Sequence, residues 1–101
     1  MTLEEQLHAG SRAREVLENE AFIAAFETIE KDVLEQWTNS PARDAEGREK
    51  CWTYLMLLRK VKAQLQSTME GGKLAQVELT HKQSIRERLQ ARWNGMSSSD
   101  V

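Results

Sequence analysis

Two Glu-x-x-His pairs are the first residues in this 101-residue sequence whose spacing could do chemistry. Glu5 precedes His8 by three residues, and Glu78 precedes His81 in the same way. One such pair on each of two helices is half of the four-helix di-iron carboxylate site, and the ligand types suit iron or manganese. Glu5 and His8, however, point away from the apolar side of their predicted helix. A carboxylate-histidine metal protein is therefore a minor alternative, and we predict no catalytic residues, no metal and no cofactor.

A basic stretch, residues 81–93, is the second candidate site. Four basic residues at helical spacing could contact phosphates, and these are Lys82, Arg86, Arg88 and Arg92. Trp93 would offer a surface on which a base could stack. Two glutamates dilute the charge, so an ordinary solvated helix face paired with acidic residues is the stronger interpretation. A nucleic-acid-binding packaging or regulatory accessory is the alternative.

The third candidate site is a turn marked by the single proline, Pro41. Proline cannot continue a helix and forces the residue before it out of the helical region. Tryptophan and arginine, the residues most often found at interface hot spots, flank this turn. We predict a partner-binding surface here, formed by Trp37, Arg43, Arg48 and Trp52. The alternative is that both tryptophans close the end of the hydrophobic core.

The helices that would position these sites are predicted by apolar periodicity. The strongest signal runs from Asp44 to Met69, where apolar residues recur at steps of three and four, namely at Trp52, Leu55, Met56, Leu58, Val61, Leu65 and Met69. A second stripe precedes the turn, at Phe22, Phe26, Ile29, Val33 and Trp37. Because the connection is short, we predict an all-α protein whose core is an antiparallel helical hairpin from Glu20 to Met69 with a long central helix. Either Ser40 or Asp44 could cap the central helix.

A weaker helix is predicted before the hairpin, from Leu3 to about Glu18. Thr2 and Glu5 have the spacing of a capping box, and Asn19 is suited to cap the following helix. Gly10 weakens the first helix by about 1 kcal/mol relative to alanine.

A further helix is predicted after the hairpin. Gly71-Gly72 is expected to end or kink the central helix. The helical period then resumes from residue 73 to residue 93, through Leu74, Val77, His81, Ile85, Leu89 and Trp93. We predict one helical domain over residues 1–93 and a flexible tail over residues 94–101.

Composition limits the class of protein. Charged residues make up 30% and mean hydropathy is −0.64, which suits solvated helices. Apolar runs are far shorter than the roughly 20 residues of a membrane span, so neither a membrane helix nor a secretion signal is expected. Cys51 has no second cysteine to pair with, which favours a reducing cytoplasm.

Charge is distributed unevenly along the chain. Residues 1–46 hold 11 acids against 4 bases, giving −7, and residues 47–101 hold 5 acids against 10 bases, giving +5. We expect the acidic half to fold back on the basic half, since complementary charges set helix register. A chain this short buries little core, and its long apolar stripes also predict a homo-oligomer.

Several stretches together resemble small helical proteins encoded by tailed bacteriophages. They are Leu17-Glu-Asn-Glu-Ala-Phe22, Trp37-Thr-Asn-Ser-Pro-Ala-Arg-Asp44, Gly47-Arg-Glu49, Trp52 and Gly72-Lys-Leu-Ala75. The resemblance covers about residues 12–80 and brings no activity or catalytic residue with it. It implies a non-enzymatic accessory or virion-assembly protein, located in the cytoplasm of an infected bacterium or in the virion. Its expected partners are itself and a phage or host protein.

Overall fold

A computed structural model describes residues 1–99 of the protein as three helices. They are α1 (Leu3–Glu18), α2 (Glu20–Asn39) and α3 (Ala45–Ser99), and the described residues contain no strand. The all-α prediction is confirmed. The molecule is a rod with principal extents of 89 × 24 × 17 Å, because α3 alone has 55 residues.

Each helix begins at a side chain that accepts a hydrogen bond from a free backbone amide of the first turn. Thr2 Oγ1 accepts from the Glu5 amide at 3.1 Å, and Asn19 Oδ1 accepts from the Phe22 amide at 3.0 Å. For α3 the cap is Asp44, whose Oδ1 accepts from the Gly47 amide at 3.0 Å. Of the two candidate caps for the central helix, the structure therefore uses Asp44.

Ser40 ends α2 instead of starting α3. Its backbone amide and its Oγ both donate to the Trp37 carbonyl, at 3.2 and 2.7 Å. Pro41 follows at once and prevents the helix from continuing. The connection between α2 and α3 is thus only a few residues long, as predicted from the proline.

α3 passes through Gly71 and Gly72 without interruption, so the predicted break and the separate C-terminal helix are wrong. No described glycine has a positive φ, the conformation in which glycine usually ends a helix. Gly72 is buried where α1 crosses α3, and a Cβ placed on it would lie 2.8 Å from the Gly10 Cα. Because Gly72 has no side chain, α1 and α3 can pack closely at this point.

The same contact corrects the interpretation of Gly10, which was expected only to weaken α1. Ala13 and Ala75, one turn further along α1 and α3, are 5% and 1% exposed. These small residues let the two backbones approach closely. This close packing offsets the free energy that glycine costs in a helix relative to alanine.

The helix also continues past Trp93, where the sequence predicts its end. α3 extends to Ser99, so the predicted tail of residues 94–101 begins inside the helix. Asp100 and Val101 lie outside the described residues.

α2 packs on the first third of α3. Val33, Cys51 and Leu55 form a buried cluster, with Trp37, Met56 and Leu58 partly buried against it. Earlier in α2, Phe26 is buried and the Lys62 Nζ lies 5.8 Å from its ring centroid, a cation–π distance. Later residues of α2 therefore lie beside earlier residues of α3.

α1 continues this reverse order along α3. Gly10 lies against Gly72, and the first turn of α1, with Leu3 and Glu4, lines a groove with residues between Leu79 and Glu87 of α3. α1 and α2 together thus pack along one side of α3 from about residue 51 to about residue 87. The last turns of α3 extend beyond the start of α1.

Candidate interaction surfaces

The two tryptophans beside the proline turn have different environments. Trp37 is partly buried against the cluster of Val33, Cys51 and Leu55, whereas Trp52 is 51% exposed. The alternative, that both tryptophans close the end of the core, thus fits Trp37, whereas Trp52 presents half of its surface to solvent. Partner binding by this pair stays a prediction.

The two arginines of the predicted turn surface are both exposed. Arg48 donates from Nη1 to the Ala42 carbonyl at 3.3 Å, which holds its guanidinium across the turn. Arg43 lies within the turn itself, next to the α3 cap Asp44. The structure thus leaves Arg43, Arg48 and Trp52 accessible near one end of the rod.

The four basic residues near the end of α3 do not form one surface. Lys82 and Arg86 line the groove against Leu3 and Glu4, close to the start of α1. Arg86 also lines a second surface, together with Arg92 and Trp93, so it belongs to both. Arg88 is one turn from Arg92 and about 200° around the helix from Arg86, at 100° per residue. The four basic residues are therefore spread around α3 and do not lie on one flat face that could follow a nucleic-acid backbone.

The two Glu-x-x-His pairs do not converge. Glu5, His8, Glu78 and His81 are all exposed. Residues 1–99 contain no group of three or more histidine, cysteine, aspartate or glutamate side chains placed to hold a metal ion. The reason is the close contact of α1 with α3, which turns small and apolar side chains inward and leaves these pairs outside.

A row of apolar side chains runs along the second half of α3 and faces solvent. We name it the outer stripe, and its members are Leu74, Val77, Ile85, Leu89 and Trp93. Their exposed fractions are 72%, 67%, 42%, 60% and 66%. Periodicity had identified these residues as one face of a helix. The structure adds that α1 packs through Gly72 and Ala75 on a different side from Leu74, Val77 and Ile85, and that its first turn reaches only the level of residues 79–87, so Leu89 and Trp93 are also left uncovered among the described residues.

A second apolar surface lies between α2 and α3. It is lined by Ile29, Val33, Tyr54, Leu57, Leu58 and Val61. Tyr54 and Leu57 are each 54% exposed. Neither residue was predicted to lie on a surface. The apolar run of residues 54–58 could have indicated one, because five consecutive apolar residues surround more of a helix than a single packed face requires.

The acidic charge of the chain is concentrated on α2. Leu34 lies among Glu27, Glu30 and Glu35, with Lys31 as the basic residue of this surface. We name these residues the acidic surface of α2. Sequence analysis expected acidic residues of this kind to pair with the basic end of α3 within one chain.

That pairing within one chain is prevented by distance. Val33 of α2 packs beside Leu55, and Leu89 follows Leu55 by 34 residues, about 51 Å along α3 at 1.5 Å per residue. The ion pair of Arg14 with Glu18, at 2.9 Å, is instead local to α1, and its hydrogen bond raises the pKa of Arg14. The acidic surface of α2 and the basic end of α3 thus lie far apart on the rod.

Comparison with known proteins identified no similar protein. The chain matches no protein-family model, no curated protein and no solved structure. Within residues 1–99, no helix combines the length and the apolar character needed to cross a membrane. What the protein does has to be inferred from its own surfaces.

Proposed function

We propose that this chain is a non-enzymatic helical protein that acts by protein–protein interaction and associates with itself. The outer stripe carries this proposal. It places large apolar side chains at five positions over 20 residues of α3, four of them more than half exposed. Contiguous exposed apolar surface of this kind marks interaction sites in soluble proteins.

The finer architecture fits such a role. In our proposal the protein is an antiparallel helical hairpin, with α3 as one arm and α1 and α2 as the other, packed in the manner of a coiled coil. A rod 89 Å long with a thin core presents most of its residues on the outside. That shape favours binding of extended partners over enclosure of a small substrate.

The biological setting proposed is infection by a tailed bacteriophage. The support is the resemblance of residues 12–80 to small helical phage proteins. We propose a part in virion head assembly or in the binding of a host factor, within the infected cell or in the virion. A nucleic-acid-binding accessory role has less support, because the basic residues are spread around α3, with Lys82 beside Leu3 and Glu4 and Arg92 beside Trp93.

The proposed contact with a phage or host protein is the end of the rod near Pro41. Trp52, Arg43 and Arg48 are accessible there, and Trp37 supports the surface from the core side. A large rigid ring beside planar guanidinium groups offers contact area and directed hydrogen bonds. These are the features of an interface hot spot.

The test is capture of a partner from phage-infected bacteria by tagged protein, followed by affinity measurement with the identified partner. Arg43→Ala and Arg48→Ala should each leave the melting temperature nearly unchanged and weaken binding by about 1–2 kcal/mol. Arg12→Ala, an exposed arginine on α1, is the matched control and should leave affinity unchanged. Equal affinity with both turn arginines removed would reject this surface.

A further inference from the structure

We infer that the first part of the outer stripe, Leu74, Val77 and Ile85, is the interface between two copies of this chain, which pack antiparallel about a two-fold axis near Leu74. The inference rests on the self-association proposed above and specifies its surface and direction. The contact would be isologous, so that each copy contributes the same residues.

The first step is the position of the stripe around α3. At 100° per residue, Leu74, Val77 and Ile85 fall within a sector of about 80°, centred roughly opposite Gly72. Leu89 and Trp93 fall outside this sector, turned towards the side of Gly72. Trp52, near the other end of α3, falls in the same sector by the same rule. Because Gly72 is the contact with α1, a second copy can approach this sector without displacing α1.

The second step is charge, which fixes the direction. The acidic surface of α2 lies at the level of Leu55, and the basic end of α3 lies about 51 Å away, beyond reach within one copy. Parallel copies would set the two acidic surfaces of α2 against each other and the two basic ends of α3 against each other. Arg59, which lies in the same sector of α3, would face a basic side chain in either direction. Antiparallel copies set each acidic surface beside the basic end of the other copy, and complementary charges of this kind determine orientation and register.

The third step is symmetry. The residues midway between Leu55 and Leu89 are those near Gly72, which is also the level of Leu74. A two-fold axis there pairs residue i with j and j with i, so both acidic–basic contacts form in the same dimer. Leu74 and Val77, exposed by 72% and 67%, would lie near the axis and be covered by their symmetry mates.

Cross-linking tests the direction. Cysteine substitution at Leu74 in a Cys51→Ala background, treated with a short bismaleimide, should yield a covalent dimer. Leu89→Cys in the same background is the matched control, since Leu89 is also exposed. Its own symmetry mate would lie about 51 Å away, so it should not cross-link to itself. Equal cross-linking at both positions would indicate a parallel pair and overturn the inference.

Charge exchange tests the pairing of surfaces. Glu27→Lys with Glu35→Lys makes the α2 surface basic, and Arg88→Glu with Arg92→Glu makes the end of α3 acidic. Each double variant alone should self-associate at least about tenfold more weakly, because unlike contacts become like contacts. An equimolar mixture of the two should form a heterodimer with affinity close to that of the original protein. A mixture that stays as weak as either variant alone would overturn the inference.

Sedimentation equilibrium separates this inference from the proposed function. A mass of about twice 11.6 kDa at tens of micromolar supports the dimer. A monomer that still captures a phage or host protein would reject the dimer and leave partner binding at the turn intact. A dimer that captures no phage or host protein would support the dimer and reject partner binding at the turn.

Discussion

Gly10 and Gly72 bring the backbones of α1 and α3 into direct contact: a Cβ placed on Gly10 would lie 2.6 Å from the Gly72 Cα. The two residues are 62 positions apart in the sequence, and neither tolerates a side chain without a shift of backbone. This crossing point fixes the distance between the helices. It also explains why Gly72 is a glycine inside a continuous helix, whereas Gly71 makes no such contact.

The first prediction concerns these glycines. Gly72→Ala should lower the free energy of unfolding by about 1–3 kcal/mol, since the added methyl group meets backbone that cannot yield easily. Gly71→Ala is the control one residue away, where a Cβ would meet no described atom within 4 Å. It should raise stability by about 0.5–1 kcal/mol through helix propensity.

Urea unfolding followed by circular dichroism, at one fixed protein concentration, would measure both variants. If both alanines stabilised the protein, α1 would not pack on α3 through Gly72. If both destabilised it equally, the pair would have some role other than this contact.

The second prediction concerns the core between α2 and α3. Leu55 is 3% exposed and belongs to the buried cluster with Val33 and Cys51, so Leu55→Ala should cost about 2–5 kcal/mol. Leu57→Ala removes the same atoms from a side chain that is 54% exposed, and should cost less than about 1 kcal/mol. Equal costs for Leu55→Ala and Leu57→Ala would contradict the packing described.

The third prediction concerns the junction of α1 and α2. Asn19 is the residue between the two helices, and its side chain accepts the Phe22 amide that begins α2. Asn19→Ala should cost about 0.5–2 kcal/mol, because that amide loses its partner. Asn19→Asp keeps an acceptor oxygen and should restore most of the loss. A neutral alanine variant would show that α1 and α2 do not need a cap at this junction.

Local signals in the sequence identified α1, α2 and the start of α3, but not the length of α3. Apolar spacing identified the helical segments, and Thr2, Asn19 and Pro41 marked where they begin or end. Capping and proline geometry act over a few residues, so they can be interpreted without knowledge of the rest of the chain.

The candidate sites divide in the same way. The sequence identified Trp37 and Trp52 as a pair, and only packing on Val33, Cys51 and Leu55 distinguished the buried ring from the exposed one. It grouped four basic residues by proximity along the chain, whereas their positions around α3 relative to α1 separated them. The exposed fraction of a side chain on α3 depends on which other helix packs on its side of α3. The residue type and its position in the sequence do not determine this.

Only the tertiary structure decided whether the helix continues through Gly71-Gly72 and which residues of the outer stripe face solvent. A glycine pair locally favours the end of a helix. Whether the helix ends there depends on whether another backbone packs closely against a glycine, where a side chain would prevent the contact. Gly10 supplies that backbone from the far end of the chain, so α3 continues to Ser99. With α1 held at Gly72, Leu74, Val77 and Ile85 face outward, because a helix packed on one side cannot cover the other. Leu89 and Trp93 are exposed because they lie beyond the start of α1.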